Sequence, residues 1–488
     1  MWQQLLPLSR QSEVTLQGQL RRAIARAVLN RQLAPGAALL SSRRLAEMLK
    51  VGRNTVTSAY QLLVDDGYLI AHSRTGFSVN PEALKNGAEA FNFDSSSFGG
   101  RPDWDKRISS TTSHLSHVVK PANWRSYRFP FVYGQFDPTL LPMAAWREAS
   151  QMALRSPSVQ DWAGDWVDLD DPLLVEQIQQ RILPRRGIWT SPDRILVTIG
   201  AQQAMYLLSA VLFTRATTVA VEQPGYPDIR NICSLFGARV AGIPVDEHGL
   251  RPMRRLRHCN YVFVSPSHQN PATVTMPLGR RIELLQMAAQ HDFVIIEDDY
   301  DSELTFLGDA TPALKALDRD GRVIYVGSLS KTLAPGLRLG FLVADPELIV
   351  ELRAMRRLVI RHPPTNNQRT AAFFIALGHY NTLISRLVRA YRERAEVVTQ
   401  SLRTHLPEAV FQPPSGGSAM WVRVPDGISI RQAAAKAAEQ GLLFDSGHVF
   451  FDQDDPPDVF FRLAYSSIQL DAIEPGIRLL AEVVRSQL

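Results

Sequence analysis

At 488 residues, with 45% apolar and 21% charged side chains, the chain is too long for one ordinary core and too apolar to be disordered. No run approaches the roughly 18 uninterrupted apolar residues of a membrane span, and the opening Met-Trp-Gln-Gln-Leu-Leu-Pro lacks the layout of a signal peptide, so a cytoplasmic protein without a membrane partner is expected. The net charge of +5 is uneven: residues 1–80 hold ten Lys and Arg against four Asp and Glu, which points to a polyanionic partner for that segment.

The first predicted element is an amphipathic helix over Leu16 to Leu33, with Leu16, Leu20, Ile24, Ala27 and Val28 at helical spacing. Pro35-Gly36 stops it. Ser41 or Ser42 can cap a second helix through Leu49, and the Lys50-Val51-Gly52 turn leads to a third from Arg53 to Asp65. Tyr68-Leu69-Ile70 and Phe77-Ser78-Val79 read as two short strands around Arg74-Thr75-Gly76. Helix, helix-turn-helix and hairpin together make a winged helix-turn-helix over 1–79, mainly α with a β wing.

From 80 to 122 the periodicity dissolves into Gly, Ser, Asn and charged residues, as in a partly flexible linker. Beyond it, near-continuous apolar runs alternate with helical stretches: Ile195–Ile199, Val219–Val221, Tyr261–Val264, Phe293–Ile296 and Val323–Val326. Such runs suit strands buried on both faces, and the crossovers between them imply an α/β architecture with a mostly parallel central sheet. The expected division of 123–488 is a large part over about 165–355 and a smaller α+β part over about 356–488, with strands at Met420–Val424 and Phe460–Tyr465.

Cysteine and lysine are both scarce. Cys233 and Cys259 have no metal-like spacing, so two reduced, buried thiols and no metal site are expected. Lysine occurs at seven positions, 50, 85, 106, 120, 315, 331 and 436, and any Schiff-base chemistry must use one of them. The run Tyr325-Val326-Gly327-Ser328-Leu329-Ser330-Lys331, followed by Arg338, puts one lysine just past a buried strand, with hydroxyls and a guanidinium nearby. That set suits condensation with an aldehyde and capture of a phosphate dianion. Ile296-Glu297-Asp298-Asp299-Tyr300 places carboxylates and a phenol at another strand end.

Two resemblances follow. Ser41-Ser42-Arg43-Arg44-Leu45-Ala46, then Arg53-Asn54-Thr55-Val56, Ala59-Tyr60 and Leu62, resemble the GntR family of winged helices over about residues 14–79. This implies that the helix from Arg53 enters the DNA major groove, with Arg53, Asn54, Thr55 and Thr57 within reach of bases and phosphates. Arg43, Arg44 and Arg74 would hold phosphates and set the register. Gly52 departs from the family's usual serine and Leu40 from its frequent proline.

The lysine segment resembles that of the fold-type I pyridoxal-phosphate proteins, the aspartate aminotransferase superfamily. The resemblance implies pyridoxal 5'-phosphate as cofactor, an internal aldimine with Lys331, and a phosphate site at Ser328 and Arg338. Asp298 is then the partner of the pyridine nitrogen, with Asp299 the alternative if the register is off by one, and Tyr300 faces ring O3. Gly200, Ala201 and Gln202, at a strand-to-helix turn, would offer N–H groups to phosphate. Tyr226 would stack on the ring, Asn270 would donate toward O3, and Arg462 would grip an effector carboxylate. Three departures concern the effector rather than the cofactor: Gly416-Gly417-Ser418-Ala419, the acidic run Asp165–Pro172, and Asp228, where the γ-aminobutyrate-responsive member has arginine.

A GntR head, a linker and a fold-type I domain form the layout of the MocR/GabR regulators. That resemblance implies a homodimer exchanged head to tail, binding promoter or operator DNA and an amino-compound effector that forms an external aldimine at Lys331, with RNA polymerase kept open as a further partner. A working aminotransferase with an accessory DNA-binding domain is the alternative.

Overall fold

The computed structural model describes residues 2–10, 12, 14–73, 76–84, 102–165, 168–308 and 311–487. The chain divides into two compact units, residues 1–111 and 112–488. Among the described residues, no helix is long and apolar enough to cross a membrane.

The first unit contains α1 (Leu16–Leu29), α2 (Ser42–Leu49), α3 (Arg53–Asp65) and an antiparallel pair, β1 (Leu69–His72) and β2 (Gly76–Val79). Thr15 and Ser41 cap α1 and α2 by accepting from the Gly18 and Arg44 amides. Helix α1 ends at Leu29 rather than Leu33, because Asn30 caps it and Arg31 adopts a left-handed φ of 57°. Gly52 caps α3 without a side-chain bond, as its departure from serine implies. The core gathers Leu20, Ile24, Val28, Leu45, Val56, Tyr60, Leu63, Leu69 and Val79. The Tyr60 hydroxyl donates to the Leu40 carbonyl at 2.9 Å, which satisfies the polar tip of a buried ring.

The second unit begins at 112, so residues 112–122, read above as linker, belong to it; Asn231 donates to the Ser116 carbonyl at 2.9 Å. Its main sheet comprises β3 (Ile195–Thr198), β4 (Thr218–Gln223), β5 (Arg239–Asp246), β6 (Gly249–Leu250), β7 (Tyr261–Val264), β8 (Val294–Asp299), β9 (Val323–Ser328) and β10 (Gly340–Val343). The order is β3-β10-β9-β8-β7-β4-β5-β6. The central run from β9 to β5 is parallel, while β10 is antiparallel to both neighbours. Helices α4 (Gly200–Leu212), α5 (Pro227–Leu235), α6 (Leu278–His291) and α7 (Pro346–Ile360) supply the crossovers and flanks, and two apolar clusters fill the space on either side of the sheet. After α8 (Thr365–Ala376) and α9 (His379–His405) comes a four-stranded sheet in the order β11-β12-β14-β13: β11 (Val410–Phe411), β12 (Ala419–Arg423), β13 (Asp445–Ser446) and β14 (Phe460–Ala464).

The acidic run before Pro172 is structural. Asp170 accepts from Arg353 at 2.9 Å and from Arg356, both on α7, and Asp171 accepts from Arg369 at 2.6 Å. Three buried or half-buried arginines thereby gain the partners that burial demands.

Candidate functional site

The strand ends of the main sheet deliver the site. Tyr133, Gly200, Ala201, Gln202, Met205, Tyr226, Asn270, Tyr300, Ser328, Ser330, Lys331 and Arg338 line one cavity of about 240 Å³. Of the residues expected around a cofactor, all but Asp298 are on that lining, and Asp298 lies one residue before the end of β8, buried to 7% exposure. Tyr133, Met205 and Ser330 were not anticipated as site residues. Tyr133 comes from the turn after the bridge strand Phe129–Pro130, which pairs with Leu442–Leu443; an aromatic beside a glycine was the single sequence cue.

Lys331 sits between β9 and β10. Its Nζ lies 4.2 Å from the centre of the Tyr133 ring. Burial pushes its pKa down to about 8, helped by Arg462 and Arg338 and opposed by Asp301 and Asp298. The lowered pKa enlarges the share of neutral amine, the nucleophilic form.

The two adjacent aspartates have different surroundings. Asp299 accepts from Arg186 Nε at 2.7 Å, from the Tyr325 hydroxyl at 2.8 Å and from Ser267. Burial opposes its charge, yet Arg186 and these donors hold its pKa below the usual carboxylate value. Asp298 instead has a buried Oδ1 without a hydrogen-bond partner. Burial, then Asp299 and Asp301, push its pKa up to about 8. A buried, unsatisfied carboxyl oxygen beside a cavity is costly unless a ligand supplies the missing donor.

Gly200 opens α4 with a φ of +73°, and a Cβ there would meet Arg338 Nη2 at 3.1 Å. Only glycine combines that backbone with that approach. The turn therefore leaves the α4 amides and the Arg338 guanidinium beside each other, next to Ser328. Arg338 Nη2 also donates to the Ile199 carbonyl at 3.2 Å. Ser330, by contrast, exchanges two 3.0 Å bonds with the Leu339 backbone.

The Tyr226 hydroxyl has two acceptors within reach of its one proton, Asp228 at 2.9 Å and Gln202 at 2.8 Å, and these orient the ring. Tyr300 is buried and meets Tyr133 edge-on with centroids 6.5 Å apart. Burial, then Asp301, hold its phenol well above the usual value. Asn270 Oδ1 accepts from Arg462 Nη1 at 3.1 Å. Behind the cavity, buried His268 and Asp301 pair at 2.8 Å, and a Cβ at Gly416 would lie 2.3 Å from the His268 ring, which explains the glycine there.

A ligand for this cavity must bring a donor for Asp298, a group that condenses with Lys331, and an anion for the Gly200–Arg338 end. Pyridoxal phosphate carries a protonatable ring nitrogen, an aldehyde and a phosphate, and the residues present fit it.

In the first unit, Arg43, Arg44, Arg53, Asn54 and Thr57 are exposed and Thr55 is half-buried, while Val56 between them is buried. Arg43 pairs with Glu47 at 3.3 Å. The Thr57 hydroxyl donates to the Arg53 carbonyl at 3.0 Å. Arg74 lies outside the described residues.

Comparison with known proteins agrees with both halves. Residues 16–79 match the model for bacterial regulatory proteins of the gntR family, and residues 137–465 match that for aminotransferase class I and II. The chain is 41% identical over 474 residues to the HTH-type transcriptional regulator TauR of Rhodobacter capsulatus, covering 96% of this chain and 97% of that protein. It is 30% identical to MocR of Rhizobium meliloti, named a probable rhizopine catabolism regulatory protein, over 98% and 95% of the two chains. Kynurenine aminotransferase of Pyrococcus horikoshii, solved with PMP, superposes with a TM-score of 0.72 at 27% identity, over 79% of this chain and 98% of that one. Pyridoxal phosphate is accordingly the cofactor, and the chain belongs to the HTH-type transcriptional regulators that join a gntR-family head to an aminotransferase class I and II domain.

Proposed function

We propose that this regulator senses a small amine at Lys331 and converts its binding into altered promoter binding, in the cytoplasm, without physiological turnover. The observation that carries the reading is the Lys331 amine lining one small cavity, with the buried, unsatisfied Oδ1 of Asp298 on the neighbouring strand β8. Asp298 would hold the ring nitrogen, Tyr300 and Asn270 the ring hydroxyl, and Tyr226 a face of the ring. Ser328, Arg338 and the amides from Gly200 to Gln202 would hold the phosphate. The bound cofactor supplies an aldehyde carbon at which one amine can replace another. Lys331 would be the amine that an effector replaces there, and Asp301, the larger of the charges that favour its protonated form, would hold the side chain once it is free.

At the other end of the chain, Arg53, Asn54, Thr55 and Thr57 would read the major groove, while Arg43, Arg44 and Arg74 would anchor phosphates. A homodimer would present two such heads to repeated half-sites, with RNA polymerase a further partner at the promoter. Coupling between effector and DNA is reciprocal, so operator DNA changes effector affinity by the same factor.

Footprinting on the upstream promoter, with and without candidate amines, tests the reading. A footprint that changes with an amine in the wild type and never in Lys331→Ala is the expected result. An identical response in Lys331→Ala overturns sensing at this lysine, and rapid multiple-turnover transamination without any footprint favours an enzyme.

A further inference from the structure

Arg462 is the residue expected to receive an effector's carboxylate, yet its guanidinium is already engaged. It lies in β14 directly opposite Asp445 of β13, a cross-strand pair in register. Nε and Nη2, the two donors that form a bidentate fork, both reach Asp445 Oδ2, at 3.0 and 2.9 Å. The remaining nitrogen, Nη1, donates to Asn270 Oδ1 at 3.1 Å. Two aromatic rings lie against the guanidinium as well, Tyr133 at 3.8 Å and Phe450 at 4.7 Å. The side chains of Arg462 and Asp445 are 2% and 5% exposed, so water does not screen the pair.

Asp445 is held in turn by its surroundings. Burial raises its pKa, while Arg462, Lys120 and the Tyr133 amide oppose that rise. Asp445 also lines a second hollow, of about 410 Å³, together with residues 115–119, Ser446 and His448. Asp445 thus borders a second space, whereas Tyr133 and Asn270, which touch Arg462, line the Lys331 cavity.

We propose that Asp445 is a specificity-determining residue, a resident carboxylate in the Arg462 fork with which any acidic effector must compete. An amine lacking an acid group enters without that competition. An amine bearing a carboxylate gains the fork only by turning Asp445 toward the second hollow, which costs Asp445 its two hydrogen bonds from Arg462 and leaves it the weaker attraction of Lys120. The net preference for acidic amines is therefore small, in contrast to the large preference of an open arginine fork.

The inference rests on amine binding at Lys331. The test compares β-alanine with n-propylamine, which differ only in the acid group, by titrating the cofactor absorbance of the full-length holoprotein and by calorimetry. In the wild type the two affinities fall within about tenfold of each other; a larger preference for β-alanine overturns the proposal, whatever the variants do. Asp445→Asn keeps the shape and one acceptor but removes the competing charge. It is expected to tighten β-alanine by about tenfold or more and to leave n-propylamine within about twofold. Equal shifts for both amines, or none for β-alanine, overturn the role of Asp445 while leaving the Lys331 reading intact. If neither amine perturbs the cofactor in either protein, the reading of an amine effector fails and this inference fails with it.

Discussion

In the head, residues 1–111, the side chains expected to meet DNA stand on the surface: Arg44, Arg53, Asn54 and Thr57 are exposed over a compact apolar core. In the second unit Asp298, Asp299 and Tyr300 are sunk at a strand end, each with a named partner or a displaced pKa, and among the site's ionisable groups Arg338 stays exposed. Exposed charges act at range, are weakened by salt and add little to stability. Buried ones act at contact, resist salt and must be paired. The same kinds of residue therefore serve two functions, and the surrounding dielectric separates them.

The contrast can be broken most severely at Lys331. Lys331→Ala is expected to remove the visible absorbance of bound cofactor and the whole effector response, while salt-dependent DNA binding by the head persists; loss of DNA binding as well would mean that the units are not separable in this sense. Arg186→Leu strands Asp299 as an uncompensated buried charge and should cost about 3–5 kcal/mol in urea unfolding of the second unit. By comparison, loss of the exposed Arg43–Glu47 pair should cost about 0–1 kcal/mol.

The pH dependence of apoprotein stability sharpens the comparison. Asp298 is raised from 3.8 to about 8, so the folded state binds its proton more tightly than the unfolded state, and that stability is lost as pH rises toward 8. Glu222, raised from 4.5 to about 8 by burial, adds to the same decline. Lys331 is lowered from 10.5 to about 8, so the unfolded state binds more protons between 8 and 10.5, and stability recovers there. The melting temperature of the apoprotein should thus pass through a minimum near pH 8, and Asp298→Asn should make it shallower. A flat profile would contradict the placement of both groups.

Smaller effects are expected at the head. Arg53→Ala should weaken specific DNA binding by about 1–3 kcal/mol, and Arg44→Ala should reduce the slope of log affinity against log salt by about 1. In the second unit, Gly200→Ala, where a φ of +73° disfavours any side chain, should cost about 1–2 kcal/mol and loosen phosphate retention; an unchanged cofactor affinity would show that the Gly200–Arg338 approach is dispensable.

Much of this was legible in the chain. The five apolar runs of the main sheet stand where β3, β4, β7, β8 and β9 lie, and the Arg53–Asp65 helix matches α3 to the residue, because short β-branched runs spaced by helix-length stretches favour strands and a capped amphipathic period favours a helix. Strand β10 was not legible: Gly340-Phe341-Leu342-Val343 is short, begins with glycine and reverses direction, and its place between β3 and β9 is fixed by long-range pairing alone. Motif spacing named Lys331 and its neighbours. It left open which of Asp298 and Asp299 keeps an unsatisfied oxygen, since that depends on Arg186, more than a hundred residues earlier. Tyr133 and Asp445 were missed for the same reason: both are brought to Arg462 by tertiary contacts, with no motif around them.

The loop that bears Lys331 is stapled shut. The Leu329 and Ser330 amides both donate to the Leu339 carbonyl, and the Ser330 hydroxyl ties back to the same residue, so the loop leaves β9 and enters β10 as one closed hairpin inside the sheet. Its backbone has no slack with which to report that the amine has been let go. In the proposed reading the moving part would be the lysine side chain itself, a four-carbon lever on a fixed pivot, beside the Tyr133 ring. Tyr133 precedes the main sheet in the chain, so in the proposed reading a released side chain would press first on the N-terminal part of this unit.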